Sequence, residues 1–247
     1  MITGGGEPGL VRPAILKEMI AAGHDALGKV ILITNGHHLA KQQPDALAET
    51  LKSYAQAGLS VLAVSRHHHD DDVSAKMMNL RTNVADIAAA WHAGAVKWPT
   101  LKLRYTCVLQ RGGIDSQNAL TAYVDWAATQ GIEEICFKEL YVSTSVESVY
   151  HRHAANAWSL ANQVPLSLVL EFATRNGFTE TGRLPWGVPV FSGEWRGRKM
   201  QFVAYTEPSL LWERANGIAR SWNMMADGRC LVSLEDRGSE IRLPAAA

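Results

Sequence analysis

The sequence has few cysteines, no excess of charge of either sign and no long apolar run. Its three cysteines are far apart and odd in number, which excludes a disulfide framework and indicates reduced thiols in the cytoplasm. Lys and Arg together number 24, as do Asp and Glu, so no net field favours nucleic acid or an anionic membrane. No apolar run is long enough to span a bilayer, and the N-terminus lacks a signal-peptide pattern. We expect a cytoplasmic protein without a nucleic-acid or membrane partner.

The pattern of apolar residues along the first two thirds of the chain alternates between strand and helix. With 247 residues, 47% of them hydrophobic, the chain can bury a full core. Short apolar runs predict buried parallel strands, and segments of helical periodicity predict the helices between them. The predicted strands are 29–34, 59–65, 101–110 and 132–140, and the predicted helices are 10–23, 44–57, 73–94, 115–130, 146–162 and 165–176. This order predicts an α/β fold with a parallel sheet, as a barrel or a doubly wound sheet.

The pattern changes near Gly177. Beyond it, alternating polar and apolar residues predict antiparallel hairpins, and Asp227-Gly228 is a strong hairpin turn. We therefore expect two regions: a βα region over residues 1–178 and a β-rich C-terminal extension over residues 179–247.

The ends of the predicted strands are unusually polar. Ligands of parallel α/β proteins bind at the carboxyl ends of the strands, so these exits are the expected site. The first exit follows Met1-Ile2-Thr3, which is typical of the end of an earlier strand. It is glycine-rich, which lets the backbone approach a ligand closely. The exits are Gly4-Gly5-Gly6-Glu7-Pro8, Thr34-Asn35-Gly36-His37-His38, Ser65-Arg66-His67-His68-His69-Asp70, Gln110-Arg111-Gly112-Gly113 and Lys138-Glu139-Leu140.

Several of these exits resemble motifs of one enzyme family. Gly5-Gly6-Glu7-Pro8, Thr34-Asn35-Gly36 and Ser65 match, in order, motifs of the radical S-adenosylmethionine superfamily, most closely the branch of the molybdenum-cofactor GTP cyclase. Residues 220–236 resemble the C-terminal part of the same branch. The resemblance implies a partial (βα) TIM-like barrel. It also implies that Gly5, Gly6, Glu7 and Pro8 hold the methionine end of S-adenosylmethionine, while Thr34, Asn35 and Ser65 position the remainder.

The chain departs from this family at the iron-binding motif. Members carry Cys-x3-Cys-x2-Cys, whose thiolates hold a 4Fe-4S cluster, and this chain has no such motif. Cys107 and Cys136 fall within predicted strands and Cys230 beside a distant hairpin, so they are not expected to replace it. Met1-Ile2-Thr3 is also short for a strand. We therefore expect a barrel lacking its first βα unit, with no metal bound by this chain and an open sheet edge through which it associates.

The activity implied by the resemblance belongs to a full-length form. There, a 4Fe-4S cluster and an electron donor would cleave S-adenosylmethionine to a 5′-deoxyadenosyl radical, which abstracts hydrogen from a polar small-molecule or peptide substrate. Whether this chain is itself an enzyme is left open, and no catalytic residue is predicted. The expected substrate rim consists of Arg66, His67, Arg104 and Lys138, with Arg104 as an ion-pair partner for the Glu139 carboxylate if both point inward.

Two alternatives compete with this interpretation. The chain could be a non-catalytic barrel remnant that serves as a binding or assembly module. It could also be an unrelated barrel enzyme that binds a divalent metal through the loop His67–Asp72, since imidazole and carboxylate are good ligands. Consecutive residues point in different directions, so we favour a solvated loop in which residues 70–72 cap the next helix. Glu235 and Asp236 are also expected to be solvated.

Overall fold

The computed structural model describes residues 1–3, 6–219 and 221–241. None of the helices in these ranges is long and apolar enough to cross a bilayer. The helices are α1 (Pro13–Leu27), α2 (His37–Ala40), α3 (Pro44–Gln56), α4 (Asp71–Met78), α5 (Val84–Gly94), α6 (Gln117–Thr129), α7 (Ala154–Asn162), α8 (Ser167–Arg175) and α9 (Leu210–Asn216). The strands are β1 (Val30–Thr34), β2 (Leu59–Ser65), β3 (Lys102–Leu109), β4 (Glu134–Glu139), β5 (Thr179–Arg183), β6 (Pro189–Trp195), β7 (Arg198–Tyr205), β8 (Asn223–Met224), β9 (Cys230–Leu231) and β10 (Glu240–Ile241).

Seven strands form one mixed sheet in the order β1-β2-β3-β4-β7-β6-β5. The strands β1 to β4 and β7 are parallel, β6 pairs antiparallel with β7, and β5 pairs antiparallel with β6. Near the N-terminus, Ile2 pairs in parallel with Leu32 on the outer side of β1. The predicted α/β class with a mostly parallel sheet is confirmed, and the strands of the described ranges form no closed sheet.

One face of this sheet carries the core. Cross-strand partners on that face are apolar, for example Tyr105, Ile135 and Phe202 on adjacent strands. They pack with buried residues of α1, α3, α5, α6 and α8 in one continuous cluster. The opposite face carries polar and partly exposed side chains, among them Arg104 and Lys138. The sheet therefore separates an apolar, helix-covered side from a polar side.

Three of the predicted helices are wrong in extent. The helix expected over 10–23 spans Pro13–Leu27 and is ended by Gly28, which has φ 71°. The single helix expected over 73–94 is two helices, because Asn79 adopts a left-handed conformation with φ 49° and ends α4. The helix expected over 146–162 begins only at Ala154, and the residues before it form turns. In that stretch the Val149 amide donates to the Glu235 carbonyl instead of to a helical partner.

The strands beyond residue 178 extend the large sheet. β7 pairs in parallel with β4, so Cys136 lies beside Val203. The segments β8, β9 and β10 form a separate three-stranded sheet near the C-terminus. The antiparallel hairpins expected in this part of the chain are present, and the division at residues 178/179 stays a prediction.

Candidate functional site

A cavity of about 440 Å³ opens at the carboxyl ends of the parallel strands. This volume is within the usual range for small-molecule sites. It lies between the N-terminal loop, the exits of β1 to β4, and the helices α4 and α7. Its lining consists of Thr3, Gly6, Glu7, Pro8, Ile33, Thr34, Asn35, Ser65, His67, Met77, Met78, Val108, Gln110, Leu140 and Trp158.

Most of the predicted site residues meet in this cavity. Those that line it are Gly6, Glu7, Pro8, Thr34, Asn35, Ser65 and His67. Gly5, which was predicted with them, lies outside the described residues, as does Arg220 of the C-terminal motif. Arg66, Arg104 and Lys138 are described but do not belong to the lining.

Glu7 joins the N-terminal loop to the exit of β1. Its Oε1 accepts hydrogen bonds from the Gly9 amide at 2.8 Å and from the Thr34 hydroxyl at 2.5 Å. Its Oε2 accepts the Asn35 amide at 2.8 Å. Hydrogen bonds to an ionised acceptor are stronger than neutral ones. The carboxylate therefore holds two loops together while it lines the cavity.

The turn Thr34-Asn35-Gly36 is fixed by its own side chains. The Thr34 hydroxyl accepts the Gly36 amide at 3.0 Å, and Asn35 Oδ1 accepts the His37 amide at 2.9 Å. Gly36 has φ 74°, and a Cβ there would lie 2.9 Å from Ile87 Cδ1. Glycine is needed at this position by backbone conformation and by space.

Three other polar groups of the cavity lining are not hydrogen-bonded within the described part of the chain. No described residue forms a hydrogen bond with the Ser65 hydroxyl, the Gln110 side-chain amide or His67 Nε2. Ser65 ends β2, His67 follows it, and Gln110 follows β3. These groups are available to a ligand.

The imidazole of His67 is held in one tautomer. Its Nδ1 accepts the Val108 amide at 3.2 Å, so the proton of the neutral ring resides on Nε2. Burial, followed by the positive charges of Arg66 and Lys138, lowers the pKa of His67 to about 4. His67 is therefore a neutral hydrogen-bond donor at physiological pH.

The lining carries little charge and one apolar wall. Glu7 is the only acidic residue among the described lining residues, and no Lys or Arg occurs among them. The apolar wall is formed by Met77, Met78, Leu140 and Trp158. The cavity thus suits a ligand that is neutral or positively charged and partly apolar.

Arg66 is buried in the loop that follows β2. Its side chain is 3% exposed and donates to the carbonyl of His68 at 2.6 Å. Its guanidinium also pairs with Asp71 and lies 5.0 Å from the centre of the Trp126 ring. These contacts stabilise the loop that carries His67.

Arg104 and Lys138 form ion pairs on the polar face of the sheet. Arg104 pairs with Glu134 at 2.7 Å, and Lys138 pairs with Glu207 at 3.0 Å. The expected pairing of Arg104 with Glu139 is therefore wrong. Adjacent strands and the segment after β7 supply the partners instead.

The side chains of the loop His67–Asp72 make structural contacts. Asp70 caps α4 by accepting the amides of Asp72 and Val73, both at 2.9 Å, which confirms the predicted cap. Asp72 pairs with Arg81. No three His, Cys, Asp or Glu side chains of the described ranges are grouped so that they could hold a metal.

The cysteines do not fit an iron–sulfur cluster. Cys107 and Cys136 lie on β3 and β4, and Cys230 lies on β9 of the small sheet. Burial raises the pKa of the Cys107 thiol, and burial also raises that of Cys136, to about 11. A cluster needs three thiolates in one place, whereas burial keeps Cys107 and Cys136 protonated and Cys230 lies in a different sheet.

Glu235 is a polar centre that the sequence did not reveal. It is 7% exposed and accepts hydrogen bonds from the Tyr141 hydroxyl, from Ser143 Oγ at 2.9 Å and from the Leu210 amide at 3.1 Å. The expectation that it is solvated is wrong. Its partners are distant in sequence, so no local pattern indicates its burial.

Of the comparisons with known proteins, only the one with solved structures finds similar proteins. No protein-family profile matches the chain, and no curated protein matches it. Among solved structures, SuiB of Streptococcus suis bound to S-adenosylmethionine is 17% identical with a TM-score of 0.44, over 69% of this chain and 36% of that one. SuiB bound to its precursor peptide SuiA is 16% identical with a TM-score of 0.43, over 70% and 35%.

A third structure is similar over a smaller part of the chain. A putative lyase/mutase of Burkholderia cenocepacia J2315 is 18% identical with a TM-score of 0.37, over 52% of this chain and 45% of that one. The chain spans about a third of the length of the SuiB structures, at 35% to 36%. At these TM-scores and identities, none of these similarities establishes a function.

Proposed function

We propose that this chain binds S-adenosylmethionine in the cavity at the strand ends, as part of a radical S-adenosylmethionine-type protein with a partial (βα) barrel. One observation carries the proposal. Gly6 to Pro8, Thr34-Asn35 and Ser65, which resemble three successive motifs of that superfamily, line a single cavity. They are separated in sequence, and their convergence is what a shared ligand requires.

The electrostatics of the cavity favour this ligand over phosphorylated nucleotides. S-adenosylmethionine combines a sulfonium, an ammonium and a carboxylate, so its net charge is positive at neutral pH. The lining offers the Glu7 carboxylate and no Lys or Arg. Phosphate binding usually uses cationic side chains, which this lining lacks.

Some residues of the chain shape the cavity, and others contact the ligand directly. Glu7 and Thr34 fix the loops that shape the methionine end. Ser65, His67 and Gln110 present uncommitted groups to acceptor and donor atoms of the ligand. The neutral Nε2–H of His67 donates a hydrogen bond and does not act as a general base.

Radical chemistry lies outside the function proposed for this chain. S-adenosylmethionine supplies a 5′-deoxyadenosyl radical only when a reduced 4Fe-4S cluster cleaves it, and the cysteines here do not fit such a cluster. The electron donor and the polar small-molecule or peptide substrate belong to a form that carries the cluster motif. We therefore expect binding without cleavage.

Calorimetric titration of the purified chain with S-adenosylmethionine tests the proposal. We expect saturable binding to the wild type and no binding of ATP. Ser65→Ala should weaken binding by roughly 2- to 12-fold, the effect of one hydrogen bond. Ser53→Ala is the matched control on α3, where the hydroxyl bonds only to a helix carbonyl. A folded wild type that fails to bind, or that binds ATP more tightly, contradicts the proposal.

A further inference from the structure

Trp158 is an exposed tryptophan at the edge of the cavity. It lies on α7, a helix with no buried residue, and its side chain is 52% exposed. It lines the same cavity as Glu7. Within the described part of the chain, its ring stacks on no other ring and its indole N–H has no acceptor. Its ring adds apolar surface to the cavity lining, where a bound ligand can cover it.

Three other tryptophans of the described chain have partners. Trp91 donates to the Leu101 carbonyl at 2.9 Å, and Trp195 donates to Asp125 at 2.7 Å. Trp126 stacks on Tyr105 with ring centres 5.3 Å apart. Packing explains the positions of these three rings, whereas the Trp158 ring is largely exposed and lines the cavity.

The surroundings of Trp158 make an apolar half of the cavity. Met77 and Met78 from α4 and Leu140 after β4 line the same space. Thioether groups make favourable contacts with aromatic rings. No charged side chain occurs in this half of the lining. Its chemistry suits a flat, apolar or weakly polar group.

Glu7 and Leu140 lie at opposite ends of a row of four strands. The Glu7 clamp is at the exit of β1, and Leu140 directly follows β4. With neighbouring strands about 4.8 Å apart, three spacings separate these exits by about 14 Å. An elongated ligand with one charged end and one flat end matches this arrangement.

We propose that Trp158 stacks on the planar heteroaromatic ring of the ligand, with Met77 and Met78 contacting the same ring. This assignment rests on the proposed function, in which that ring is the adenine of S-adenosylmethionine. Trp158 is thus a specificity-determining residue that selects a nucleoside over a simple amino-acid sulfonium.

Binding measurements with two partial ligands test the assignment. 5′-Methylthioadenosine carries the nucleoside without the amino acid, and S-methylmethionine carries the sulfonium amino acid without the nucleoside. Trp158→Ala should weaken S-adenosylmethionine and 5′-methylthioadenosine by roughly 5- to 150-fold, the usual effect of losing base–aromatic stacking. The affinity for S-methylmethionine should not change, and Trp158→Phe should retain most of the stacking.

A second exposed tryptophan supplies the control. Trp222 is 74% exposed and does not line the cavity, so Trp222→Ala should bind all three compounds like the wild type. 5′-Methylthioadenosine should also quench tryptophan fluorescence in the wild type and much less in Trp158→Phe. Equal melting temperatures of the variants confirm that they are folded.

The outcomes separate this inference from the proposed function. If S-adenosylmethionine binds the wild type and Trp158→Ala equally, the stacking role is wrong and the proposed function stands. If 5′-methylthioadenosine binds in a Trp158-dependent manner but S-adenosylmethionine does not bind, the stacking role stands and the proposed function fails. If neither compound binds the folded wild type, both are wrong.

Discussion

At the scale of single residues, the cavity contains two kinds of polar group. Glu7 and Thr34 bond to the chain itself, whereas Ser65 and His67 Nε2 have no partner among the described residues. The sequence motif that contains Glu7 could be predicted, because it is local. Its role as a clamp could not, because its partner Thr34 is distant in sequence. The identity of a motif residue does not reveal whether it contacts ligand or holds the loop.

We expect His67 to make folding stability dependent on pH. Its folded pKa of about 4 is below the ordinary value of 6.5, so the unfolded chain binds the proton more tightly. The contribution is fully present above about pH 6.5 and is lost as the pH falls toward 4. It amounts to at most about 3 kcal/mol.

Urea unfolding of the wild type and His67→Gln between pH 4 and 8 measures this contribution. Glutamine does not titrate, so the free energy of unfolding of the wild type minus that of His67→Gln should decrease as the pH falls below 6.5. A difference that is constant across this range would show that His67 titrates normally in the folded protein.

Gly36 and Gly28 provide a matched pair for the turn after β1. Both have positive φ, 74° and 71°, but a Cβ would overlap Ile87 only at Gly36 and would meet open space at Gly28. Gly28→Ala should cost about 1–2 kcal/mol of unfolding free energy from backbone strain alone. Gly36→Ala should cost about 2–4 kcal/mol, because overlap adds to strain. Equal losses in urea unfolding would contradict the packing argument.

At the scale of elements, most strands and helices could be predicted from their periodicity. The prediction failed where tertiary contacts replaced local ones. Asn79 ends α4 in a left-handed conformation that the helical pattern of 73–94 did not indicate. Residues 146–153 form turns beside the C-terminal segment, where the Glu235 carbonyl accepts the Val149 amide. Partners so far away in sequence leave no local signal.

Glu235 should hold the C-terminal segment against the loop after β4. Glu235→Ala removes the acceptor of the Tyr141, Ser143 and Leu210 hydrogen bonds and leaves their donors unsatisfied. Trypsin should then cleave faster after Arg229 and Arg237 than in the wild type. Hydrogen exchange at the Leu210 amide should also increase.

Glu240 is a suitable control for this experiment because it is exposed in the same segment. Glu240→Ala should leave both the cleavage rate and the exchange of Leu210 unchanged. Cleavage of Glu235→Ala at the wild-type rate would mean that other contacts hold the segment.

At the scale of the whole molecule, the two edges of the large sheet differ. The edge strand β5 is polar, exposed along its length and irregular between Glu180 and Gly182, features that discourage pairing with another chain. Beside β1, Ile2 alone is paired among the described residues. The predicted association of the chain should therefore use the β1 edge.

Sedimentation velocity over a range of protein concentrations measures this association. We expect the average mass to rise with concentration. A single monomeric species at all concentrations, together with a cooperative thermal transition, would contradict the prediction.

The position of β7 between β4 and β6 has a consequence for biosynthesis. Strands β1 to β4 leave the ribosome in the order in which they lie side by side, so each can join the one before it. The other neighbour of β4 is β7, which is translated last of the seven strands. β4 therefore lacks this neighbour until β5 and β6 have also been translated. During that interval the backbone edge of β4 is unpaired. Ile135 and Phe137 also lack their later neighbours on β7, Phe202 and Ala204. An unpaired edge of this kind can pair with another chain, so we expect association of the nascent chain to be favoured in this interval.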